Sequence, residues 1–346
     1  MTKNPKILYL HSNTSELLKQ LHRSRVALYN QLGYDVQLFD STEYFSPTIF
    51  PYLDRFWRKK DARLMRFYDV LTPQLQACDV LIHYNGANIH PRFLEQFRCT
   101  KVYHCADDPD ASAILSRPVA AHYDVCAISN VACLDMYRKW GCKHVFFWPL
   151  GSSFPDEVFD SVPPAEPRQR EVPVVFVGAK SGVPAFRFFG RLLGLYKRRR
   201  FMTEIERRVP QLVGYGQGWA NGMLADAMLP RVYASSRLGL NKHNSLGPIN
   251  SRLYDLPAFG VMQICDNKQH LGQVYELGKE VVGYDSLQEC VELIEYYLAH
   301  PDEAQQIALA GQQRFRRDYA ARPLWEGLLR NLGECLGNSG GNGVSG

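Results

Sequence analysis

The chain has 346 residues, of which 46% are hydrophobic and 22% are charged, and its formal net charge is +5. This length exceeds one ordinary domain, and the composition excludes a disordered or fibrous protein. The mild positive charge suits a small anionic ligand as well as a polyanion. Nine scattered cysteines form no Cys-x-x-Cys pair, and no apolar run has the length of a secretory or transmembrane segment. We therefore expect a cytoplasmic protein with reduced thiols and no metal site.

Short apolar runs alternate with helical patterns along the first half. After the strand-like run 6–10, leucines at helical spacing predict a helix that ends at Gly33. Helical patterns near 61–77, 91–98 and 130–140 separate the next strand-like runs, which are 34–39, 79–84, 101–105, 123–129 and 144–148. Runs that are apolar throughout indicate strands covered on both faces, which is typical of a parallel sheet.

Residues 156–172 are rich in proline and charge, and they predict a linker. The alternation then restarts, with strand-like runs at 174–178, 212–216, 237–241, 261–266 and 280–284. The sequence thus predicts an α/β protein with two Rossmann-like domains facing across a cleft, where ligands bind at the carboxyl ends of the strands. The expected boundaries are a first domain 1–155, the linker 156–172, a second domain 173–318, a helix 319–336 packing back towards the first domain, and a disordered tail 337–346.

The first strand of the second half runs into a glycine-containing turn. Gly178 and Gly182 allow a backbone to approach a ligand closely, and a helix beginning near Pro184 would offer free N–H groups to a phosphate. Lys180 could add a positive charge there. The alternative is an ordinary strand-to-helix turn, because neither a GxGxxG nor a Walker pattern is present.

The next strand end, 212–219, is also rich in glycine and includes Gly216 as a candidate ligand contact. Trp219 or Tyr215 could stack on a nucleobase at this strand end. Buried packing is the commoner role of such rings, so both interpretations stay open.

The stretch after 237–241 concentrates polar side chains at a strand end. Candidate ligand contacts are Lys242, His243, Asn244, Asn250 and Ser251. Asn250 or Ser251 can cap a helix over about 251–258, and Arg252 lies in its first turn, beside any phosphate held there. Asp255, on the same side, is placed to accept hydrogen bonds from ribose hydroxyls. In isolation, Arg252 and Asp255 would also fit a surface ion pair.

The stretch RLYDLPAFGVMQICD (252–266), followed by ELGKEVVGYDSLQECVELIEYYLAHPDEAQQIALAGQQR (276–314), resembles the C-terminal half of GT-B glycosyltransferases. The resemblance is to the CgeB-like (spore-maturation type) group in particular, and it extends over nearly all of 172–318. It implies that the second domain holds a nucleotide-sugar donor, taken to be UDP-linked, and that the first domain binds an unidentified acceptor. No cofactor is implied besides this substrate.

The chain departs from the pattern of that family at two acids. Asp255 stands where a ribose-contacting glutamate is usual, and Gly247 stands where the sugar-contacting glutamate of the E-x7-E signature would lie. His243 and Asn244 are the nearest polar substitutes. The departures leave the donor sugar and the stereochemistry open. A catalytically degenerate nucleotide- or glycan-binding protein is therefore an alternative to a transferase. A nucleotide-sugar epimerase is another alternative, because it would share the two-domain cleft and need no acceptor pocket.

Glycosyl transfer needs stabilisation of the departing diphosphate, and it often needs a base for the acceptor hydroxyl. Cations that could meet the diphosphate without a metal are Arg252, Lys180 and Lys242. Asp107 and Asp108, at the end of a strand, and His11, just past the first strand, are candidate bases. The alternative roles are helix-capping acids and a structural histidine. Asn85 and Gly86 are expected to shape the acceptor pocket.

The stretch 187–208 carries eight basic residues, including Lys197 to Arg200. We interpret them as the solvated face of a long helix, because no exposed aromatic residues are interleaved as in nucleic-acid-binding surfaces. Some GT-B enzymes glycosylate DNA. A nucleic-acid-modifying transferase is therefore a further alternative, although a nucleic-acid partner is not favoured.

Overall fold

A computed structural model describes residues 5–84, 86–162, 169–181, 189–244 and 246–337, and only the backbone of residues 189–196. The chain divides into two compact units. The first comprises the residues up to Pro149 together with those from Ala321 onward, and the second is Leu150–Ala320.

The first unit is built on a six-stranded parallel sheet. Its strands are β1 (Lys6–His11), β2 (Asp35–Asp40), β3 (Val80–Tyr84), β4 (Thr100–His104), β5 (Val125–Ile128) and β6 (His144–Phe147). Their order in the sheet is β2-β1-β3-β4-β5-β6. The helices of this unit are α1 (Glu16–Gln31), α2 (Phe50–Arg58), α3 (Ala62–Ala77), α4 (Pro91–Leu94), α5 (Leu134–Lys139) and α13 (Ala321–Gly337). Every residue of β3 and β5 is buried, as expected for strands covered on both faces.

The second unit is built on a five-stranded parallel sheet. Its strands are β7 (Val172–Val177), β8 (Leu212–Tyr215), β9 (Ser236–Asn241), β10 (Met262–Cys265) and β11 (Val282–Gly283). Their order is β11-β10-β9-β7-β8. The helices are α6 (Asp156–Ser161), α7 (Phe189–Arg208), α8 (Leu229–Ala234), α9 (Arg252–Ala258), α10 (Lys268–Leu271), α11 (Leu287–Ala299) and α12 (Pro301–Arg314). Apolar residues of β7, β9 and β10 pack against α7, α11 and α12 to form the core.

In each sheet, one strand has its successors on opposite sides. In the first unit, β1 lies between β2 and β3, and in the second unit β7 lies between β8 and β9. Where the strand order changes side in this way, the connections leave the sheet in opposite directions. This leaves a crevice outside the carboxyl ends of the two neighbouring strands, which is where ligands bind in open α/β sheets. We call the carboxyl ends of β1 and β3 the first switch point, and those of β7 and β9 the second switch point.

The predicted fold class, two Rossmann-like α/β domains, is confirmed. The expected linker is wrong as a boundary, because the second unit already begins at Leu150 and contains helix α6 within 156–172. Phe159 of this helix is buried against Phe259 and Phe315, which attaches the segment to the second unit. Residues 163–168 and the predicted tail from 338 onward lie outside the described residues.

Helix α13 belongs to the first unit although it follows the second in sequence. The ring of Trp325 stacks on Tyr29 with centroids 4.0 Å apart, and Trp148 Nε1–H donates to the carbonyl of Leu324 at 3.2 Å. Burial of the large Trp325 ring stabilises the packing of α13 against the first unit. Among the described helices, none is long and apolar enough to cross a membrane.

Candidate functional site

The guanidinium of Arg252 ties together the two strands of the second switch point. Its three nitrogens donate to Val177 O at 2.8 Å, to Asn241 Oδ1 at 3.2 Å and to Lys242 O at 3.1 Å. Val177 ends β7 and Asn241 ends β9, so the charge lies at the carboxyl edge of both strands. A guanidinium has five N–H donors, and three bonds leave two of them for a ligand.

Arg198 of α7 brings a second guanidinium to the same place. Its Nε and one terminal nitrogen donate to Ala179 O at 3.2 and 3.1 Å, and the other donates to Lys242 O at 2.6 Å. Arg198 is 5% exposed. Burial, together with the charge of Arg252, lowers the pKa of Arg198 to about 10, so it stays protonated at neutral pH. We refer to Arg198 and Arg252 as the guanidinium pair.

The interpretation of 187–208 as a solvated face is wrong for Arg198. Lys197, Arg199 and Arg200 are exposed as expected, but Arg198 is buried. Arg198 precedes the apolar face of α7 at helical spacing, since Phe201, Met202 and Ile205 follow at i+3, i+4 and i+7. That spacing was the signal in the sequence that could have identified it. Residues 182–188, including Gly182 and Pro184, lie outside the described residues.

The two lysines predicted at this edge are already paired with carboxylates. Lys180 Nζ forms a short ion pair with Glu206, and Lys242 Nζ lies 2.6 Å from Asp266 Oδ2. For the guanidinium pair, by contrast, no ion pair is found within the described part of the chain. Both guanidinium carbons lie over one apolar ring, that of Phe176, at 5.4 Å for Arg198 and 5.0 Å for Arg252 from its centroid. The positive charge at the second switch point is therefore left mainly with these two arginines.

The start of α9 is capped by Asn250, one of the two residues predicted for this role. Asn250 Oδ1 accepts the N–H of Leu253 at 3.0 Å, whereas the side chain of Ser251 makes no cap hydrogen bond. Asn250 also exchanges hydrogen bonds with the Asn241 side chain at 2.8 and 3.2 Å. The N–H of Leu253 is thus already hydrogen-bonded within the protein and is not available to a ligand. The helix also has only seven residues. The expected phosphate site at its N-terminus is not supported, and the charge of Arg252 takes that place.

Asp255 does not face an open site. It is 1% exposed, and its Oδ1 accepts from Ser152 Oγ at 2.7 Å and from the N–H of Ser153 at 2.8 Å. Burial raises the pKa of Asp255 to about 6, against the lowering effect of these hydrogen bonds. The ribose contact predicted for Asp255 does not fit this geometry. The alternative of a surface ion pair with Arg252 does not fit it either.

His243 is buried and bound to Asp266. The backbone N–H and Nδ1 of His243 lie 2.9 and 2.6 Å from Asp266 Oδ1. Burial alone would raise the pKa of Asp266, but His243 and Lys242 lower it to about 2. Asn244 is exposed, and Gly247 lies in a turn that donates its N–H to Asn267 Oδ1 at 3.1 Å.

The donor atoms of His243, Cys265 and Asp266 lie within 4.8 Å of one another, which is close enough for metal ligands. Both oxygens of Asp266 already accept hydrogen bonds, one of them from the Lys242 ammonium. Burial also raises the pKa of the Cys265 thiol far above its ordinary value, which disfavours a thiolate ligand. These residues therefore fit a charge-balanced hydrogen-bonded group better than a metal centre.

Gly178 and Gly216 let the loops after β7 and β8 pack backbone to backbone. A Cβ on Gly216 would lie 2.6 Å from Gly178 O, and one on Gly178 would lie 2.8 Å from an Arg252 nitrogen. Trp219 is buried, and its Nε1–H donates to Gly178 O at 2.9 Å. Stacking of Trp219 on a base is not supported, because the ring packs against Gly214 and supports the loop instead.

In the first unit the candidate bases differ in exposure. Asp107 is exposed, whereas Asp108 is 1% exposed, and its Oδ2 accepts a short hydrogen bond from the Tyr137 hydroxyl. Burial raises the pKa of Asp108. His11 is also buried, stacked on His22 at 4.6 Å, and burial lowers its pKa. Of the three, Asp107 is the candidate that solvent reaches.

The loop after β3, in which Gly86 was expected to shape the acceptor pocket, contacts a network of buried polar side chains. Asn88 Nδ2 donates to Ser12 Oγ at 2.9 Å and to Ser41 Oγ at 2.8 Å, and Asn88 Oδ1 pairs with His83 Nε2 at 2.8 Å. Gly86 is buried with φ +128, and a Cβ there would lie 3.2 Å from Ser12 Oγ. Gly86 therefore permits close packing at the first switch point. Asn85 lies outside the described residues.

A family model matches the C-terminal part of the chain. Residues 197–330 match the family model described as glycosyl transferase-like. No curated protein sequence matches the chain significantly.

Several solved structures share the fold at low sequence identity. Sucrose-phosphate synthase from Thermosynechococcus elongatus is 13% identical with a TM-score of 0.61, over 94% of this chain and 99% of that chain. HepE from Anabaena, in complex with UDP, is 12% identical with a TM-score of 0.57, over 95% and 100%. An α-glucosyltransferase in complex with UDP and a 13-mer DNA is 12% identical with a TM-score of 0.60, over 94% and 99%. The fold is that of GT-B glycosyltransferases. Together with the family match, it assigns the chain to the glycosyltransferase class of enzymes.

Proposed function

We propose that the protein transfers a sugar from a UDP-linked donor to an acceptor hydroxyl, and that the guanidinium pair binds the donor diphosphate. The observation that carries this proposal is the position of Arg198 and Arg252. Both are anchored on backbone carbonyls at the second switch point and have no carboxylate partner among the described residues. The CgeB-like group of GT-B enzymes is the finer family that we propose, on the sequence pattern of 252–314.

The chemistry of the leaving group explains why two arginines suit this role. As the bond from the sugar to the diphosphate breaks, negative charge grows on the phosphate oxygens. Donors fixed in advance stabilise that charge without reorganising. Guanidinium groups bind phosphate oxygens in a bidentate manner and stay protonated. We therefore propose that the cations replace a metal, and that no cofactor is needed besides the donor.

The uridine part of the proposal is supported by similar structures, because HepE and the α-glucosyltransferase were solved with UDP. For the acceptor, we propose Asp107 as the base, since it is the exposed carboxylate among the three candidates. All nine cysteines are free thiols, which supports a reducing compartment such as the cytoplasm.

A nucleic-acid acceptor is the second candidate. It is supported by the exposed Lys197, Arg199 and Arg200 on α7 and by the DNA in the complex of the similar α-glucosyltransferase. Binding through these cations would weaken steeply with salt, and it would weaken again when the three are replaced by glutamine. Salt-independent or absent duplex binding would remove this candidate.

Isothermal calorimetry with UDP, GDP, ADP and dTDP tests the donor site. We expect UDP to bind most tightly, with an affinity that EDTA does not change. Arg252→Ala should weaken UDP binding about 100-fold, because a charge-assisted hydrogen bond contributes roughly 1.5–3 kcal/mol. Arg198→Lys should weaken it while retaining one charge, and it is safer for folding than Arg198→Ala, which would leave Lys242 O without that donor.

Arg199→Ala is the matched control, since this neighbour on α7 is exposed. It should leave UDP affinity within about twofold of wild type, since exposed substitutions rarely matter. Equal losses in Arg199→Ala and Arg252→Ala would indicate general charge attraction and contradict the site. No nucleotide binding to the folded wild type would overturn the proposed donor. Interconversion of UDP-sugars without an acceptor would identify an epimerase instead.

A further inference from the structure

The ring of His243 is held by one carboxylate at the ends of β9 and β10. Asp266 Oδ1 receives both the backbone N–H of His243, at 2.9 Å, and its Nδ1, at 2.6 Å. The other oxygen of Asp266 binds Lys242 Nζ at 2.6 Å. A carboxylate held by an ammonium can only accept, so the proton of the neutral ring lies on Nδ1. The second ring nitrogen, Nε2, then carries a lone pair.

No residue in the described part of the chain forms a hydrogen bond with Nε2, although the nitrogen is buried. His243 as a whole is 3% exposed. An acceptor in this condition is unusual, because most buried polar atoms in native proteins have a partner. The nitrogen is therefore suited to an O–H or N–H donor that the described chain does not supply.

The place of His243 in the chain indicates which donor this is. The preceding carbonyl, Lys242 O, is the atom on which both members of the guanidinium pair converge, at 2.6 and 3.1 Å. In a nucleotide sugar, the group attached to the diphosphate on the side away from the nucleoside is the sugar, whose free polar groups are hydroxyls. Gly247 offers no side chain that could bind them.

We propose that His243 Nε2 accepts a hydrogen bond from a hydroxyl of the transferred sugar, and that Asp266 fixes the ring for this role. The inference rests on the proposed donor site. No described residue of 242–251 lies in a helix or strand, and Asn244 and Leu246 are exposed. His243 is therefore one residue away from an exposed position at this edge of the sheet. His243 is then a specificity-determining residue, and Asp266 is a positioning residue.

The test compares ligands with and without the sugar. Calorimetry is run on wild type and His243→Ala with UDP, UDP-glucose, UDP-galactose and UDP-N-acetylglucosamine. We expect at least one UDP-sugar to bind wild type more tightly than UDP. His243→Ala should weaken that sugar nucleotide about tenfold and leave UDP affinity within about twofold, since one hydrogen bond contributes about 1.4 kcal/mol or less.

Deoxyfluoro analogues of the sugar nucleotide that binds best identify the hydroxyl. Fluorine cannot donate a hydrogen bond. The analogue altered at the contacted position should therefore lose about tenfold on wild type and no further affinity on His243→Ala. Analogues altered elsewhere should lose the same amount on both proteins. Thermal melting of His243→Ala checks that the variant is folded, and its UDP affinity checks that the guanidinium pair is intact.

The outcomes separate this inference from the proposed function. Equal losses of UDP and UDP-sugar affinity in His243→Ala would overturn the sugar contact and leave the diphosphate site standing. The same holds if no UDP-sugar binds wild type more tightly than UDP. Absence of UDP binding to wild type would overturn the proposed function itself, and this inference with it.

Discussion

In both units, successive strands are added first on one side of a central strand and then on the other, which creates a switch point in each sheet. The two switch points nevertheless differ in the charge that they carry. At the second, two arginines lie at the ends of β7 and β9 without a carboxylate partner among the described residues. At the first, Asn88 binds Ser12 and Ser41 through its amide, and these groups are neutral.

The carboxylate at the end of β2, in the first unit, has its negative charge neutralised by a neighbouring lysine. Asp40 pairs with Lys19 at 2.9 Å, and its interactions with Thr42 and Lys19 outweigh burial and lower its pKa. One fold thus presents a site suited to an anion in one unit and a closed neutral network in the other. Because function depends on side chains placed on the fold, the shared topology alone would not have distinguished them.

The largest expected effect concerns the support beneath the second switch point. Trp219→Ala should lower the free energy of unfolding by about 3–5 kcal/mol, because it removes a buried ring and leaves a cavity. Trp219→Phe should be milder, since it loses chiefly the bond from Nε1 to Gly178 O. Urea denaturation measures both variants. If Trp219→Phe kept its stability but lost UDP affinity tenfold, the ring would be stacking on the base.

The second prediction concerns Asp255, the buried acid of α9. Its pKa is about 6 in the folded protein and 3.8 ordinarily. Between these values the folded state binds a proton that the unfolded state has lost, so stability falls as pH rises through this window. The shift corresponds to roughly 2–3 kcal/mol lost above pH 6 relative to pH below 4.

Asp255→Asn should remove this loss, because an amide oxygen can still accept from Ser152 and Ser153 without carrying a buried charge. We expect the variant to be more stable than wild type at pH 8 by up to about 2–3 kcal/mol, with the difference vanishing near pH 4. Asp226→Asn, at an exposed aspartate of the same unit, is the control for net charge. A difference independent of pH would contradict the assigned pKa.

The strands could be predicted because their apolar runs are local signals. All five strands of the second sheet overlap the predicted runs, and so do all six of the first. The polar edge of the second switch point followed from the sequence as well, since Lys242 lies just beyond a predicted strand and Arg252 lies in the first turn of the predicted helix 251–258. What sequence could not give was the partner of each polar group.

Asp255 illustrates this limit. Its partners Ser152 and Ser153 lie more than 100 residues away along the chain, in a segment placed before the expected linker. Arg198 was hidden for a different reason, because it stands within a run of exposed cations. Only the apolar positions that follow it at helical spacing distinguish it from its neighbours. Burial of a charge depends on tertiary packing, which local composition does not encode.

The smallest expected effect concerns Asp108, a buried acid of the first unit that we expect to be structural rather than catalytic. Asp108→Ala should lower the free energy of unfolding by about 1–3 kcal/mol, since it leaves the buried Tyr137 hydroxyl without the carboxylate oxygen that accepts its hydrogen bond. The exposed Asp107→Asn should change stability by no more than about 0.5 kcal/mol. Thermal or urea unfolding measures both variants, with slow hydrolysis of a UDP-sugar as the activity readout. If Asp108→Ala were as stable as wild type but inactive, the buried acid would be catalytic. The end of β4 in the first unit would then be a working site as open to chemistry as the second switch point.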